Sequence, residues 1–178
     1  MVSARLISSR RCLSVDIMRH HMRRADKEFK EQRKLRGVLK ETCYMTLAMA
    51  RDGEPYLVSL SHGYDEERNC LYFHCASEGK KLDYMRANPV VWGQVIVDHG
   101  YVERECTHSY VTVMFRGQVS FIDDPEEKRR ALRTMLWQLE PDAEARERRM
   151  NTDDLGSTMF GKIDVEHMTG KKTQEIDL

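Results

Sequence analysis

Residues 71–91 read LYFHCASEGKKLDYMRANPVV, which sets a histidine, a serine, a glycine and two adjacent lysines where an alternating strand gives way to a helix. That order of residue types suits an anion. The first amides of a helix have no intrahelical acceptor and sit at the positive end of its dipole, so they attract phosphate without any dedicated side chain. Lys80 and Lys81 fall in the first turn of the helix expected from Ser77, its N-cap, to about residue 88. Cations there oppose the dipole, and an anion offsetting both is a physical reason for their presence. Strand alternation puts Leu71, Phe73 and Cys75 on one face and Tyr72 and His74 on the other. His74, three residues before Ser77, is therefore read as a pocket residue rather than an ordinary hydrogen-bonded strand histidine.

Other chemistry finds little support in the residues. Alternation points His74 and Cys75 to opposite faces, and Cys70 brings no fourth ligand at a standard spacing, so no metal site is expected. No GxSxG or HExxH motif occurs, nor any Cys/His pair in a recognisable nucleophile context. The five cysteines are odd in number and lack a CxxC, which favours a reducing, cytoplasmic setting over a disulfide framework.

The elements that must position the anion site follow from the patterning. A chain of 178 residues supports one ordinary domain. Lysine plus arginine equals aspartate plus glutamate at 29 each, so no global basic field argues for nucleic-acid binding. Residues 1–40 nevertheless carry twelve basic against four acidic residues, a net +8 that leaves the remainder at −8. A nucleic-acid arm is one reading of that run, though the remainder's −8 counts against it; a solvated helix face over about residues 21–40 or an interface arm is the commoner one. Residues 1–21 are read as a peripheral extension and 22–178 as the domain. The first seventeen residues, Ser- and Arg-rich and nearly free of acid, suit a transit-type leader or an upstream-extended start before Met18 or Met22. No apolar run reaches the length of a membrane span.

Alternation predicts strands over residues 43–50 and 55–64, with Asp52-Gly53 turning between them, and a third over 70–76. Pro89 stops the helix after Ser77. An apolar strand over 90–97, an irregular connection over 98–107, and a long strand over 108–122 with a bulge at Gly117 follow. Asp124-Pro125-Glu126-Glu127 starts a helix by N-cap, first-turn proline and capping-box glutamate, and a last strand spans about 159–168. Six strands joined mainly by tight turns, with two or three helices, make a small antiparallel barrel of the α+β type.

The order of these features resembles the flavin-binding split barrel of the pyridoxamine 5'-phosphate oxidase-like superfamily, and within it the nitroimidazole-resistance branch. The resemblance spans about residues 22–172. It is carried by MRRADKEF, LAMARDGEPYLVSLSHGY, the 71–91 block, FRGQVSFIDDPEEKRRAL and KIDVEHMTGKK. It implies a homodimeric six-stranded split barrel with flavin mononucleotide (FMN) in clefts at the subunit interface. Carried over position by position, His74, Cys75, Ala76, Ser77, Lys80 and Lys81 would hold the phosphate and ribityl chain. Val58, Ser59, Leu60, Ser61 and His62 would line the isoalloxazine with strand backbone, and Trp92, Gln94, Arg116 and Gln118 would reach it from the second subunit. The resemblance further implies reduction of a small acceptor such as a nitroaromatic, with NAD(P)H as donor and His74 as the catalytic residue. Flavin adenine dinucleotide (FAD) and haem are its alternative cofactors, with His74 or His62 as haem ligand, and a non-catalytic flavin or haem carrier is its alternative function. The missing nucleophile motifs agree with a bound cofactor carrying the reaction while the protein positions it.

Overall fold

A computed structural model describes residues 22–149, 158–173 and 176; the expected extension over 1–21 lies outside them. From Met22 onward, where the described residues start, the basic run is not one long helix. It begins with a single 3-10 turn at Ala25–Lys27, continues as a two-residue strand β1 (Glu28–Phe29) and becomes helix α1 only at Gln32–Glu41. Phe29, Leu35, Val38 and Leu39 are its buried apolar residues, and their spacing sets which part of the run can be helical and still reach the core. Thr42 ends α1 by donating its hydroxyl to the Val38 carbonyl at 3.0 Å.

The sheet is built from β2 (Tyr44–Arg51), β3 (Glu54–Ser61), β4 (Gly63–Asp65), β5 (Cys70–Ala76), β6 (Val90–Val102), β7 (Thr107–Ile122) and β8 (Thr158–Lys172). Its order is β3-β2-β6-β7-β8-β5-β4, antiparallel throughout, with β1 added on β8. Eight strands therefore replace the six expected, and the architecture is the open, split barrel anticipated. The added β4 arises because the predicted 55–64 strand is broken at His62. Its first part pairs with β2 at one end of the sheet, and its second pairs with β5 at the other. One covalent segment thus bridges the two ends, while β3 and β5 approach each other without a hydrogen-bonded ladder.

The region 98–107 is also regular where an irregular connection was expected. β6 and β7 form one long hairpin, with a register shift between Asp98 and Tyr101 and the turn at 103–106. Gly100, at φ +95°, takes a backbone conformation open to glycine, which lets the pairing resume after the shift. The bulge at Gly117 is present, as a register shift between Arg116 and Gly117 against β8.

Two apolar clusters hold the barrel. The larger is the interior, including Met45, Leu47, Leu71, Phe73, Val95, Val113, Phe115 and Ile163 with Leu35 and Leu39 of α1. The smaller lies outside β5, where Ala131 and Met135 of helix α3 (Pro125–Leu139) cover Cys70, Tyr72, Ile122 and Phe160. The α3 start is capped as read from the sequence, with the Asp124 carboxylate accepting from the Glu127 amide at 2.8 Å. A shorter helix α4 (Ala143–Arg149) follows it. Helix α2 (Lys80–Ala87) joins β5 to β6 and packs on β2.

Candidate cofactor site

The end of β5 emerges from the core residue by residue. Cys70, Leu71, Tyr72 and Phe73 are buried, His74 and Ala76 are exposed, and Cys75 is half-buried against the main core. Tyr72 shares the face of His74 yet is covered by α3, where its hydroxyl donates to Glu127 Oε1 at 2.7 Å. The His74 ring leans on Phe160, its β8 partner, with centroids 5.9 Å apart, so one side is backed and the rest is open. Burial pushes the Cys75 thiol up, against a smaller opposing pull from Lys81 and Arg86.

Helix α2 begins two residues later than expected, and its N-cap is Gly79 rather than Ser77. Gly79 has φ +129° and ψ 165°, a region in which a side chain is strained, so glycine sets the turn and Ser77 is left in an exposed bend. No side chain caps this helix, and a Cβ at Gly79 would meet nothing within 4 Å. The leading amides of Lys80 and Lys81 have no acceptor among the described residues.

The two lysines differ. Lys80 Nζ lies over the Tyr56 ring at 4.6 Å and the Tyr84 ring at 5.5 Å, and those rings are 5.2 Å from each other. Arg86, near the other end of α2, lies over Phe121 at 5.6 Å. Lys81 has no ion pair, hydrogen bond or ring partner among the described residues and is half-buried. Tyr56 and Tyr84 were not singled out in the sequence. Alternation on β3 could have placed Tyr56 inward, but nothing local said which cation it would meet.

Strand β3 stands at the sheet end and pairs only with β2. Tyr56, Val58 and Leu60 are half-buried against the core, while Leu57 and Ser59 face out, with Ser59 Oγ 3.1 Å from Thr46 Oγ1. Among the described residues no strand pairs with its second backbone edge, and β3 approaches β5 across a seam without a ladder. A free edge offers alternating N–H and C=O groups, the donor and acceptor pattern that a planar heterocycle can match. With β3 near β5, and Lys80 at the start of α2 reaching Tyr56 of β3, the β5–α2 turn and the β3 end of the sheet lie near one another.

His62 does not join them. It has 0% exposure and marks the crossing between β3 and β4. Its Nε2 is 3.0 Å from the Leu39 carbonyl, its backbone amide donates to the Cys43 carbonyl at 3.3 Å, and its Nδ1 is buried without a partner. Burial lowers its pKa. Gln138, also missed in the sequence, completes this knot. Its amide nitrogen donates to the carbonyls of Leu39 and Thr42 at 3.0 and 2.7 Å, and its oxygen accepts from the Tyr64 amide at 2.8 Å. Of the two histidines considered as haem ligands, only His74 presents its ring to solvent.

Trp92, Gln94, Arg116 and Gln118 lie on the outer face of β6 and β7, away from the seam of their own chain. Register aligns Leu57, Ala48, Trp92 and Arg116 in one row, and Ser59, Thr46 and Gln94 in the next. Gln94 donates to Thr112 Oγ1 at 3.0 Å. Arg116 forms an ion pair with Glu166, and Gln118 donates to the same carboxylate at 2.6 Å. Around them the surface is apolar, with Tyr44 67%, Leu57 64%, Ile96 55% and Trp92 38% exposed. A cleft of about 400 Å³ there is lined in part by Tyr44, Thr46, Gln94 and Ile96. Another, of about 460 Å³, lies between α1 and α3 beside Trp137, apart from the seam. Among the described residues no group of three or more His, Cys, Asp or Glu could hold a metal.

A family model described as pyridoxamine 5'-phosphate oxidase matches residues 31–172, from α1 to the end of β8. The chain belongs to the pyridoxamine 5'-phosphate oxidase family. The β3–β5 seam, with α2 beside it, lies wholly within the region the family model spans. Among solved structures the chain is similar to a candidate 5-nitroimidazole antibiotic resistance protein from Bacteroides thetaiotaomicron, at 26% identity and a TM-score of 0.69, over 81% of this chain and 85% of that one. It is similar to an FAD-binding protein from Mesorhizobium loti at 25% identity and a TM-score of 0.59, over 83% and 97% of the two chains. The flavocytochrome Anf3 from Azotobacter vinelandii, at 17% identity, shares the fold with a TM-score of 0.74 over 89% of this chain and 75% of its own. The comparison with curated proteins finds no match. No helix among the described residues is long and apolar enough to cross a membrane.

Proposed function

We propose that this chain is a homodimeric flavin-dependent reductase that binds FMN and reduces a small acceptor, such as a nitroaromatic compound, with NAD(P)H as donor. The observation that carries the reading is the β5–α2 turn. An uncapped helix start, a glycine that leaves space over it and the unpartnered Lys81 stand beside the free edge of β3. That set of groups fits a flavin's phosphate and its heterocyclic edge. The likeness to the Bacteroides thetaiotaomicron protein supports the nitroaromatic acceptor.

In this reading Lys81 and the leading α2 amides bind the phosphate, and Ser77 and Ala76 border the ribityl chain. The backbone of Val58–Leu60–Ser61 orients the ring, and His74, backed by Phe160, holds or moves a proton at the acceptor. Bound flavin supplies the electron transfer itself. The outer face bearing Tyr44, Leu57, Trp92 and Ile96 is covered by a second copy, which brings Trp92 and Gln94 toward the partner's seam. The Arg116 and Gln118 side chains are held by Glu166, so they frame that face rather than supply free charge.

FMN uptake by the full chain, followed by anaerobic NAD(P)H oxidation with a nitroaromatic acceptor, tests this. Uptake with acceptor-dependent turnover is expected. Uptake without turnover for any nitro or quinone acceptor assigns a carrier instead, and no uptake of FMN or FAD removes the flavin reading. FAD is the specific second reading, because the Mesorhizobium loti relative is an FAD-binding protein; extraction and mass measurement separate the two.

A further inference from the structure

Resting on that flavin reading, we infer that Lys80 is a positioning residue, not a phosphate ligand: its ammonium clamps the start of α2 onto Tyr56 of β3 and Tyr84 of α2, leaving Lys81 to meet the anion. Adjacent lysines at a helix start look equivalent in sequence, and the resemblance assigns both to the phosphate. Their surroundings separate them. Lys80 lies within 6 Å of two ring centroids, at 4.6 and 5.5 Å, inside the range of a cation–π contact with each. The rings tilt 50° to one another, and the one ammonium lies over both. Tyr84 is 7% exposed, which anchors one ring within the core.

Two consequences follow. The electrostatic conflict between a first-turn cation and the helix dipole is offset at Lys80 by aromatic faces, so its charge needs no anion. The clamp also ties α2 to the edge strand that borders the seam. Arg86 over Phe121 of β7 makes a second contact of the same kind near the helix end. Pinned at both ends, α2 presents its uncapped amides and Lys81 in one place, and a ligand meets a preorganised site without having to order it.

A double-mutant cycle on FMN affinity tests the assignment. Lys80→Ala and Tyr56→Leu are each expected to weaken FMN by about 5- to 10-fold, and the double variant by little more than either alone. Lys80→Arg and Tyr56→Phe, which keep cation and ring, are expected to stay within about 2-fold of wild type. Lys81→Ala should cost less in the Tyr56→Leu background than in wild type, because the clamp that holds Lys81 in place is already gone. Were Lys80 a direct ligand, Lys80→Ala would weaken FMN equally in both Tyr56 backgrounds, and Tyr56→Leu alone would have no effect; that result overturns the inference. Additive effects with flavin still bound by wild type remove this assignment alone. Failure of wild type to bind either FMN or FAD removes the underlying reading as well.

Discussion

Lys81 and His74 stand on either side of the exposed bend at Ser77, and in the proposed site the first supplies a charge and the second a proton. A lysine contact to phosphate is a charge-assisted hydrogen bond, so Lys81→Ala is expected to weaken FMN by about 10- to 100-fold. Riboflavin, which lacks the phosphate, should be nearly unaffected in a parallel fluorescence titration. His74 is exposed, and its one ring contact among the described residues is the tilted Phe160. His74→Ala should therefore retain the fold and most FMN affinity while turnover falls by about 100-fold. His62 behaves oppositely, because burial lowers its pKa and its Nδ1 has no partner. Below about pH 6.5 the unfolded chain takes up a proton that the folded chain resists, so unfolding free energy should fall with pH by up to about 1.4 kcal/mol per unit. Comparing urea unfolding at pH 7.5 and 5.5 for wild type and His62→Gln checks this: the pH-dependent loss should shrink in the variant. At this scale the order of residue types in 71–91 was legible from alternation and helix-start chemistry. The different fates of Lys80 and Lys81, and of His62 and His74, were not, because partners such as Tyr56 and Gln138 are distant in the chain.

The elements reproduce local signals where those signals are backbone-driven. The α3 start needed only Asp124, Pro125 and Glu127, and β5 ends where its alternation ends. Misreadings occur where tertiary structure overrides a local rule. Serine is the better cap by propensity, yet the turn after β5 demands φ +129°, so Gly79 takes the position. Alternation continues through Ser61 and His62, which hid the break between β3 and β4. Gly63 lets β4, once it has turned toward β5, lie directly against α3. A Cβ there would lie 2.7 Å from the backbone of Met135, so β4 and α3 meet at main-chain distance. Gly63→Ala should destabilise the fold by about 1–3 kcal/mol, as a lower urea midpoint at unchanged slope, since backbone cannot yield as a side-chain tip can.

For the whole molecule, the barrel pattern and its family were readable because many weak features keep one order along residues 31–172. Sheet order and seam were not, since strand pairing is a long-range outcome. The outer face of β2, β3 and β6 leaves Tyr44, Leu57, Trp92 and Ile96 in solvent, a patch of the kind that marks an interface. If a second copy covers it, Ile96→Asp should yield a folded monomer by light scattering and lose FMN together with the dimer. Mass measurement on wild type should give about twice the 20.9 kDa chain.

The central claim is that the β5–α2 turn holds a flavin phosphate. Its most direct test is the visible absorbance spectrum of the protein after incubation with FMN and removal of unbound material, run beside Lys81→Ala. Flavin bands at about one equivalent per chain in wild type, strongly reduced in Lys81→Ala, are the predicted result. A colourless wild type, or equal flavin retention in both proteins, would contradict it.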